Sequence, residues 1–306
     1  MCFTILHSAA RCIDMVPYIT FQDDYLGIFT RSYLWQTANC NVFFDGGLAS
    51  GAKDKLSYLR DGRESVLLLT HGHWDHIGCD SVTKKNGGKV LAGRGDARHI
   101  ADYDWLWQGL FAQFADDFAL PAARHTVFWS EVGQPVKPDG YLEDGQVLTF
   151  DDAVFRVIAI PGHSMGSVCL LEEHTGIIFC GDGIIGDGFF SGCPQITDFD
   201  AYIASMKKLR SVSPSQAVTA HTSVIAGTEW QALLDRSIDC AQRMLRHVAR
   251  YAAENDCLTV SGAAKAIADG EGKGIGGGTC TTAVAALMRM NDVRAQKALE
   301  GYLLRV

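Results

Sequence analysis

Apolar residues change their spacing several times along the chain, and each change predicts an element. Up to about residue 45, aromatic and β-branched residues gather in short runs at 18–21, 26–30, 33–35 and 41–44, broken by Asp23-Asp24, Gly27 and Gly46-Gly47. Such runs predict short strands joined by turns. Residues 50–59 place apolar side chains at a helical interval, whereas 65–70 (SVLLLT) is an unbroken apolar run, the pattern of a strand buried on both faces. Near 94–140 the pattern loosens: Tyr103, Trp105, Trp107, Phe111, Phe114, Phe118, Phe128 and Trp129 sit among acidic and small residues, which predicts partly helical excursions. Strand patterning resumes at 145–149 and 153–160, then in a hairpin with arms 167–172 and 177–180 around His174-Thr175-Gly176, and again at 216–220. From Thr228 onward the period is helical. Thr228 and Gln231 have capping-box spacing, and Trp230, Leu233, Leu234, Ile238, Met244, Leu245 and Val248 mark one apolar stripe. Shorter helices are expected at 262–268 and from Thr282, separated by a flexible connector at 270–278 (GEGKGIGGG), which lacks the Gly-Lys-Ser/Thr ending of a phosphate loop.

Composition narrows the classes of function. With 47% hydrophobic and 20% charged residues over 306 positions, the chain is neither disordered, collagen-like nor a small disulfide scaffold. Its 27 Lys+Arg against 35 Asp+Glu leave a net charge of −8, so it offers no broad basic footprint and nucleic acid is not an expected partner. No apolar run is long enough to span a bilayer, and residues 1–14 lack a basic stretch followed by a clean apolar one. The ten cysteines are scattered with no C-x-x-C pair, in a chain large enough to bury a core without staples. A reduced, cytoplasmic protein without membrane attachment is therefore expected.

The candidate chemistry lies in Thr70-His71-Gly72-His73-Trp74-Asp75-His76-Ile77-Gly78, directly after the buried apolar run. His71 and His73, two apart in extended chain, project to the same side, and Asp75 and His76 fall on the turn that leaves the strand. Imidazole and carboxylate are ligands that a borderline divalent ion such as Zn²⁺ accepts. Burying so many titratable groups at a strand end is unfavourable unless something compensates them, so a metal is expected here.

This segment resembles the H-x-H-x-D-H signature of the metallo-β-lactamase superfamily, and later motifs follow in that family's order. Pro161-Gly162-His163-Ser164-Met165-Gly166-Ser167 is similar to its P-G-H-(S/T)-x-G-S loop, and Phe179-Cys180-Gly181-Asp182 to its strand ending in Gly-Asp. His221, after Ala217-Val218-Thr219-Ala220, stands where the family's last histidine is expected, and Asp45-Gly46-Gly47 resembles its early Asp-x-Gly turn. The resemblance covers roughly residues 18 to 225. It implies an α/β fold, an αββα sandwich of two β-rich halves, with a dinuclear site at one sheet edge. His71, His73 and His163 would hold one metal, Asp75, His76 and His221 the other, and Asp182 would bridge them. Asp45 would accept hydrogen bonds that orient the ligand loop. The cofactor implied is two divalent ions, zinc first, with iron and manganese also suited by these ligands. They would share a bridging hydroxide, with Asp75 as the catalytic group that orients it. Ser164 is expected to bond backbone, and no serine or cysteine nucleophile is required.

Asp182, where one β-lactamase subclass has cysteine, and His73, where the diiron flavoproteins have glutamate, make the chain more similar to the glyoxalase II-like and lactonase-like branches. The activity implied is metal-dependent hydrolysis of a small ester, thioester or lactone, so the expected partner is a small-molecule substrate. The alternatives are a mononuclear iron persulfide dioxygenase-like oxidoreductase, a phosphodiesterase, and a binding protein with a relic site. Residues 1–227 are expected to form the sandwich, with the aromatic-rich insertion near 94–140, and 228–306 a C-terminal helical extension. The insertion reads equally as a peripheral helix pair or as a lid over the metals. The extension would share that role or form a homodimer surface. Cys79 is expected to be a packed thiol, and His7, His99, His125, His174 and His247 to be surface or loop residues.

Overall fold

The computed structural model describes residues 17–111, 122–188, 192–222, 224–275, 277–291 and 293–303, and the strand alternation sorts their apolar side chains into separate cores. Strands β1 (Tyr18–Tyr25), β2 (Ile28–Gln36), β3 (Cys40–Phe44), β4 (Glu64–Leu69), β5 (Lys89–Gly93) and β6 (Gly140–Leu142) form one sheet in sequence order, with β3 to β6 parallel. Strands β7 (Val147–Phe150), β8 (Ala153–Ala159), β9 (Val168–Glu172), β10 (Ile177–Gly181), β11 (Gln216–Thr219) and β12 (Ile225–Ala226) form the second, also in sequence order, with β10 and β11 parallel.

Side chains alternate across a strand, and a strand covered on both faces feeds two cores. Val66 and Leu68 of β4 join the core between the sheets, whereas Leu67 and Leu69 join an outer core. Val42 and Phe44 of β3 pack inward in the same way and Phe43 outward. Phe44 of the first sheet stacks on Phe179 of the second at 3.9 Å between ring centroids. Helices α1 (Ala52–Leu59), α2 (Asp80–Lys85), α3 (Ala97–Ala101), α4 (Tyr103–Leu110) and α5 (Ala122–Glu131) accompany the first sheet. Helices α6 (Phe199–Leu209), α7 (Trp230–Glu254), α8 (Val260–Glu271), α9 (Gly277–Arg289) and α10 (Val293–Leu303) accompany the second. The architecture is an αββα sandwich with added C-terminal helices, as the sequence implies.

Several details differ from the sequence expectation. Residues 28–30 and 33–35 belong to one strand, β2, whereas Leu26 and Gly27, at φ 46° and 79°, lie outside it and make the two-residue turn that pairs Tyr25 with Ile28. Within the aromatic stretch, Trp107 packs on Phe111 and Phe128 between α4 and α5, while Phe114 and Phe118 lie outside the described residues. Thr228 is not a capping residue: a short 3₁₀ turn, Gly227–Glu229, feeds α7, whose N-cap Glu229 makes no side-chain cap bond. The expected connector is shorter than 270–278, since α8 runs to Glu271, Gly272 closes it in the left-handed conformation at φ 64°, and α9 begins at Gly277. The apolar stripe of α7 shares one core with Ile178 and Cys180 of β10, so the extension packs on the second sheet.

Candidate metal centre

All seven residues singled out as ligands come from chain segments that follow strand ends. His71, His73, Asp75 and His76 follow β4, His163 follows β8, Asp182 follows β10 and His221 follows β11. The structure brings them together in three overlapping groups, His71/His73/His163, His71/His76/Asp182 and Asp75/His76/His221, whose ligand atoms lie within 4.8 Å of one another. Every member is buried. Asp182 Oδ2 stands 3.1 Å from His221 Nε2, 3.6 Å from His76 Nε2 and 3.9 Å from His163 Nε2, within reach of both expected sets.

Burial, reinforced by neighbouring imidazoles, holds His71 and His73 well below the usual histidine range, and burial also lowers His163, so these three are neutral, the form that coordinates a cation. At His76 burial also acts downward, but Asp45, Asp182 and Asp75 outweigh it and hold the imidazole well above its usual value. Burial lowers His221 as well, and the carboxylates of Asp182 and Asp75 override it to about 10. The two aspartates respond in kind: burial would raise both, yet His76 and His221 draw Asp75 down and His221 and His76 draw Asp182 down. His71 Nε2, His76 Nε2 and Asp182 Oδ1 are buried with no hydrogen-bond partner. Leaving a buried polar atom unpaired costs roughly 1–3 kcal/mol, and the three residues that carry these atoms make up one of the groups above. A divalent cation is the group that satisfies imidazole nitrogens and a carboxylate oxygen together, so the donor set fits a metal.

Supporting contacts fix the ligand loops. Asp45, at φ 60°, accepts from the Thr70 amide (2.8 Å) and hydroxyl and from His76 Nδ1 (3.0 Å), which is the orienting part expected for it. Sequence reasoning missed three others. Asp96 accepts from the Gly72 amide (2.8 Å), the Gly166 amide (2.9 Å) and the Ser164 hydroxyl (2.6 Å), tying the first ligand loop to the loop of His163. Ser164 therefore bonds a carboxylate and the Ser167 hydroxyl with its side chain, not the backbone. Tyr25 donates to Asp75 Oδ2 at 2.6 Å and rests edge-on against Trp74. The Gln195 carbonyl accepts from His163 Nδ1 at 3.0 Å, and its side-chain amide meets His73 at 3.2 Å. No sequence signal marks any of the three, because each acts through a contact distant along the chain.

Of the histidines set aside, His99 stands beside the centre, 6.5 Å from the His73 ring, whereas His174 is exposed, His125 packs on Trp107 and His247 meets Glu271. His7 lies outside the described residues. Cys79 is a packed thiol that donates to the Leu48 carbonyl, and burial pushes it up to about 12.

Asp80 behaves differently. It is fully buried, neither carboxyl oxygen has a hydrogen-bond partner among the described residues, and burial together with Asp45 raises its pKa well above the usual range. A carboxyl that binds its proton more tightly when folded loses stability as pH rises from its unfolded value of about 3.9 toward its folded one. Asp80→Asn, which cannot ionise, is expected to raise the thermal midpoint at pH 7–8 by a few degrees and to leave it unchanged near pH 4. Melting curves across that range check the difference.

The centre opens into a cavity of about 180 Å³ whose wall includes Tyr25, Trp74, Leu110, Phe111, Ile185 and Gln195. That volume accommodates more than a single water. Leu110 and Phe111 come from the aromatic insertion and Gly278 from the C-terminal helices, so both later additions reach the cavity.

A sequence model of the metallo-beta-lactamase superfamily matches residues 27–221. The chain is 26% identical over 197 residues to the hydroxyacylglutathione hydrolase GloC of Haemophilus influenzae, a match that spans 64% of this chain and 82% of that one. It is 33% identical over 200 residues to the acyl-coenzyme A thioesterase MBLAC2 of Gallus gallus, spanning 58% of this chain and 66% of the relative. Among solved structures, a metallo-beta-lactamase family protein of Thermus thermophilus superposes with a TM-score of 0.71 at 18% identity, covering 90% of this chain and 93% of that one. A likeness that extensive takes in C-terminal helices as well as the sandwich.

Proposed function

Because the chain belongs to the metallo-β-lactamase superfamily, we propose that it is a metal-dependent hydrolase of a small thioester, with esters and lactones as the neighbouring chemistries. The observation that carries this reading is the convergence of five imidazoles and two carboxylates, three of their atoms unpaired, with three of the imidazoles and both carboxylates lining one cavity. Relatives named for acylglutathione and acyl-coenzyme A support the thioester end of the range.

His71, His73 and His163 would hold one divalent ion and Asp75, His76 and His221 a second, with Asp182 between them. Bound divalent ions supply Lewis acidity and a water that ionises near neutral pH. The remaining chemistry belongs to the chain. Asp75, held by the Tyr25 phenol, orients the attacking water. Asp45 fixes His76 and the Gln195 carbonyl fixes His163, so that neither ring need reorganise as charge develops. Trp74, Leu110 and Phe111 form an apolar wall that excludes bulk water from the scissile carbonyl, which makes the insertion part of the substrate wall as well as a packed helix pair. Residues 1–227 are the catalytic unit in this reading, and 228–306 an extension that completes the cavity. A reducing, cytoplasmic setting is in keeping with eight described cysteines, none of them joined in a disulfide among the described residues. Among the described residues no helix is long and apolar enough to cross a membrane.

Metal quantification on protein purified without added metal, followed by a panel of thioesters, lactones, β-lactams and phosphodiesters, tests the proposal. Two divalent ions per chain with turnover of thioesters are expected. One iron per chain with oxygen uptake would replace the reading with a dioxygenase, and a stable protein without affinity for zinc, manganese or iron would end it.

A further inference from the structure

The cavity above the proposed metal centre carries one permanently charged cation on its wall among the described residues, Arg124 of α5. It faces the same space as His73, Asp75, His163, Asp182 and His221. Among the described residues no carboxylate pairs with it, although the chain carries a net charge of −8 and most of the ion pairs it forms use arginine or lysine. The guanidinium lies 5.5 Å from the centroid of the Phe111 ring, on a wall that Leu110 and Trp74 also build. An aromatic face supports a cation without neutralising it, and an apolar surround strengthens whatever charge the cation meets. A planar fork of donors held this way, beside the reacting centre and with no carboxylate partner among the described residues, suits an oxyanion.

We propose that Arg124 receives an anionic group of the substrate, a carboxylate or a phosphate, so that the preferred substrate is a thioester bearing negative charge away from its scissile carbonyl. This rests on the hydrolase reading above and deepens it. Arg124 comes from the aromatic insertion and not from the ligand loops, so it acts on selectivity and leaves the metal cage untouched. The same apolar wall accepts the uncharged part of the substrate while Arg124 fixes its orientation, which a purely apolar pocket could not do.

The test uses matched thioesters. One pair compares the glutaryl with the pentanoyl thioester of N-acetylcysteamine, differing by a carboxylate on the acyl side. A second compares acetyl thioesters of pantetheine with and without its terminal phosphate, so the arms distinguish carboxylate from phosphate and acyl side from thiol side. For the wild type, kcat/KM is expected to favour the charged member of one pair by tenfold or more, the scale of a charge-assisted hydrogen bond. Arg124→Met is expected to collapse that ratio chiefly through KM, and Arg124→Lys to restore part of it. Equilibrium binding of a carboxylate- or phosphate-bearing thioether analogue weakens in parallel in the Met variant. A wild type that turns over both members of each pair equally overturns this inference and leaves the hydrolase reading standing. A Met variant in which both members fall in proportion also overturns it. Absence of turnover on every thioester, charged or neutral, overturns both.

Discussion

Asp182→Asn is expected to lower turnover by about 10²–10³-fold, the loss that follows removal of one preorganised charge-stabilising group, while the chain stays folded. The carboxylate that it neutralises is, among the described residues, the one acidic group within 4 Å of imidazoles from both proposed sets, at 3.1 Å from His221, 3.6 Å from His76 and 3.9 Å from His163. An amide of the same shape fills the same space, so packing is preserved. It carries no charge to hold two cations near each other, and His221, held at about 10 by Asp182 and Asp75 against the downward pull of burial, loses its first partner. Metal content measured alongside kcat should fall from the proposed two ions per chain toward one. A variant with full metal content and full rate would remove Asp182 from the bridging position.

Stripping divalent ions with a chelator should abolish hydrolysis and lower the thermal midpoint, and the effect should depend on pH in a defined direction. In the metal-free chain His76 and His221 are held above their ordinary values by surrounding carboxylates, although burial opposes this. Both therefore carry protons at neutral pH that a cation must displace. Apparent metal affinity must then rise with pH up to about 10, where His221 gives up its own proton. At free metal 1,000-fold above the dissociation constant, binding to the folded state alone contributes about 4 kcal/mol. A chain that loses activity without any fall in melting temperature would show that no divalent ion binds the folded state tightly. Proton release on zinc addition, followed in weakly buffered solution, checks the sign independently.

The parts of the molecule legible in the sequence are those in which chemistry and local pattern coincide. The run in β4 reveals a strand buried on both faces, and the histidines and aspartate that follow it need no distant information to look like ligands. The same holds for His163 in its Pro-Gly turn and Asp182 at the end of β10. The contacts that hold these candidate ligands lie elsewhere. Tyr25 reaches Asp75 across 50 positions, Ser164 reaches Asp96 across 68, and Gln195 meets His73 across 122. An isolated tyrosine, aspartate or glutamine in a strand end or loop carries no periodic mark, and only the folded chain supplies its partner. β6 was hidden for another reason: three residues, Gly140–Leu142, are too few to show alternation and are recruited by the edge of β5. The helix start at α7 misled because Thr228 and Gln231 have the right spacing but the chain enters through a tighter turn.

Asp96 has a consequence for how the two halves can exist. Its carboxylate clasps Gly72 of one ligand loop and Gly166 of the other, at a crossing so tight that a Cβ on neighbouring Gly93 would sit 1.9 Å from the Gly166 carbonyl oxygen. The sandwich is thus pinned at the very spot where the proposed ligands meet. Severed between the sheets, neither fragment would retain the shape of its share of the cage, and only reassembly of both could rebuild it.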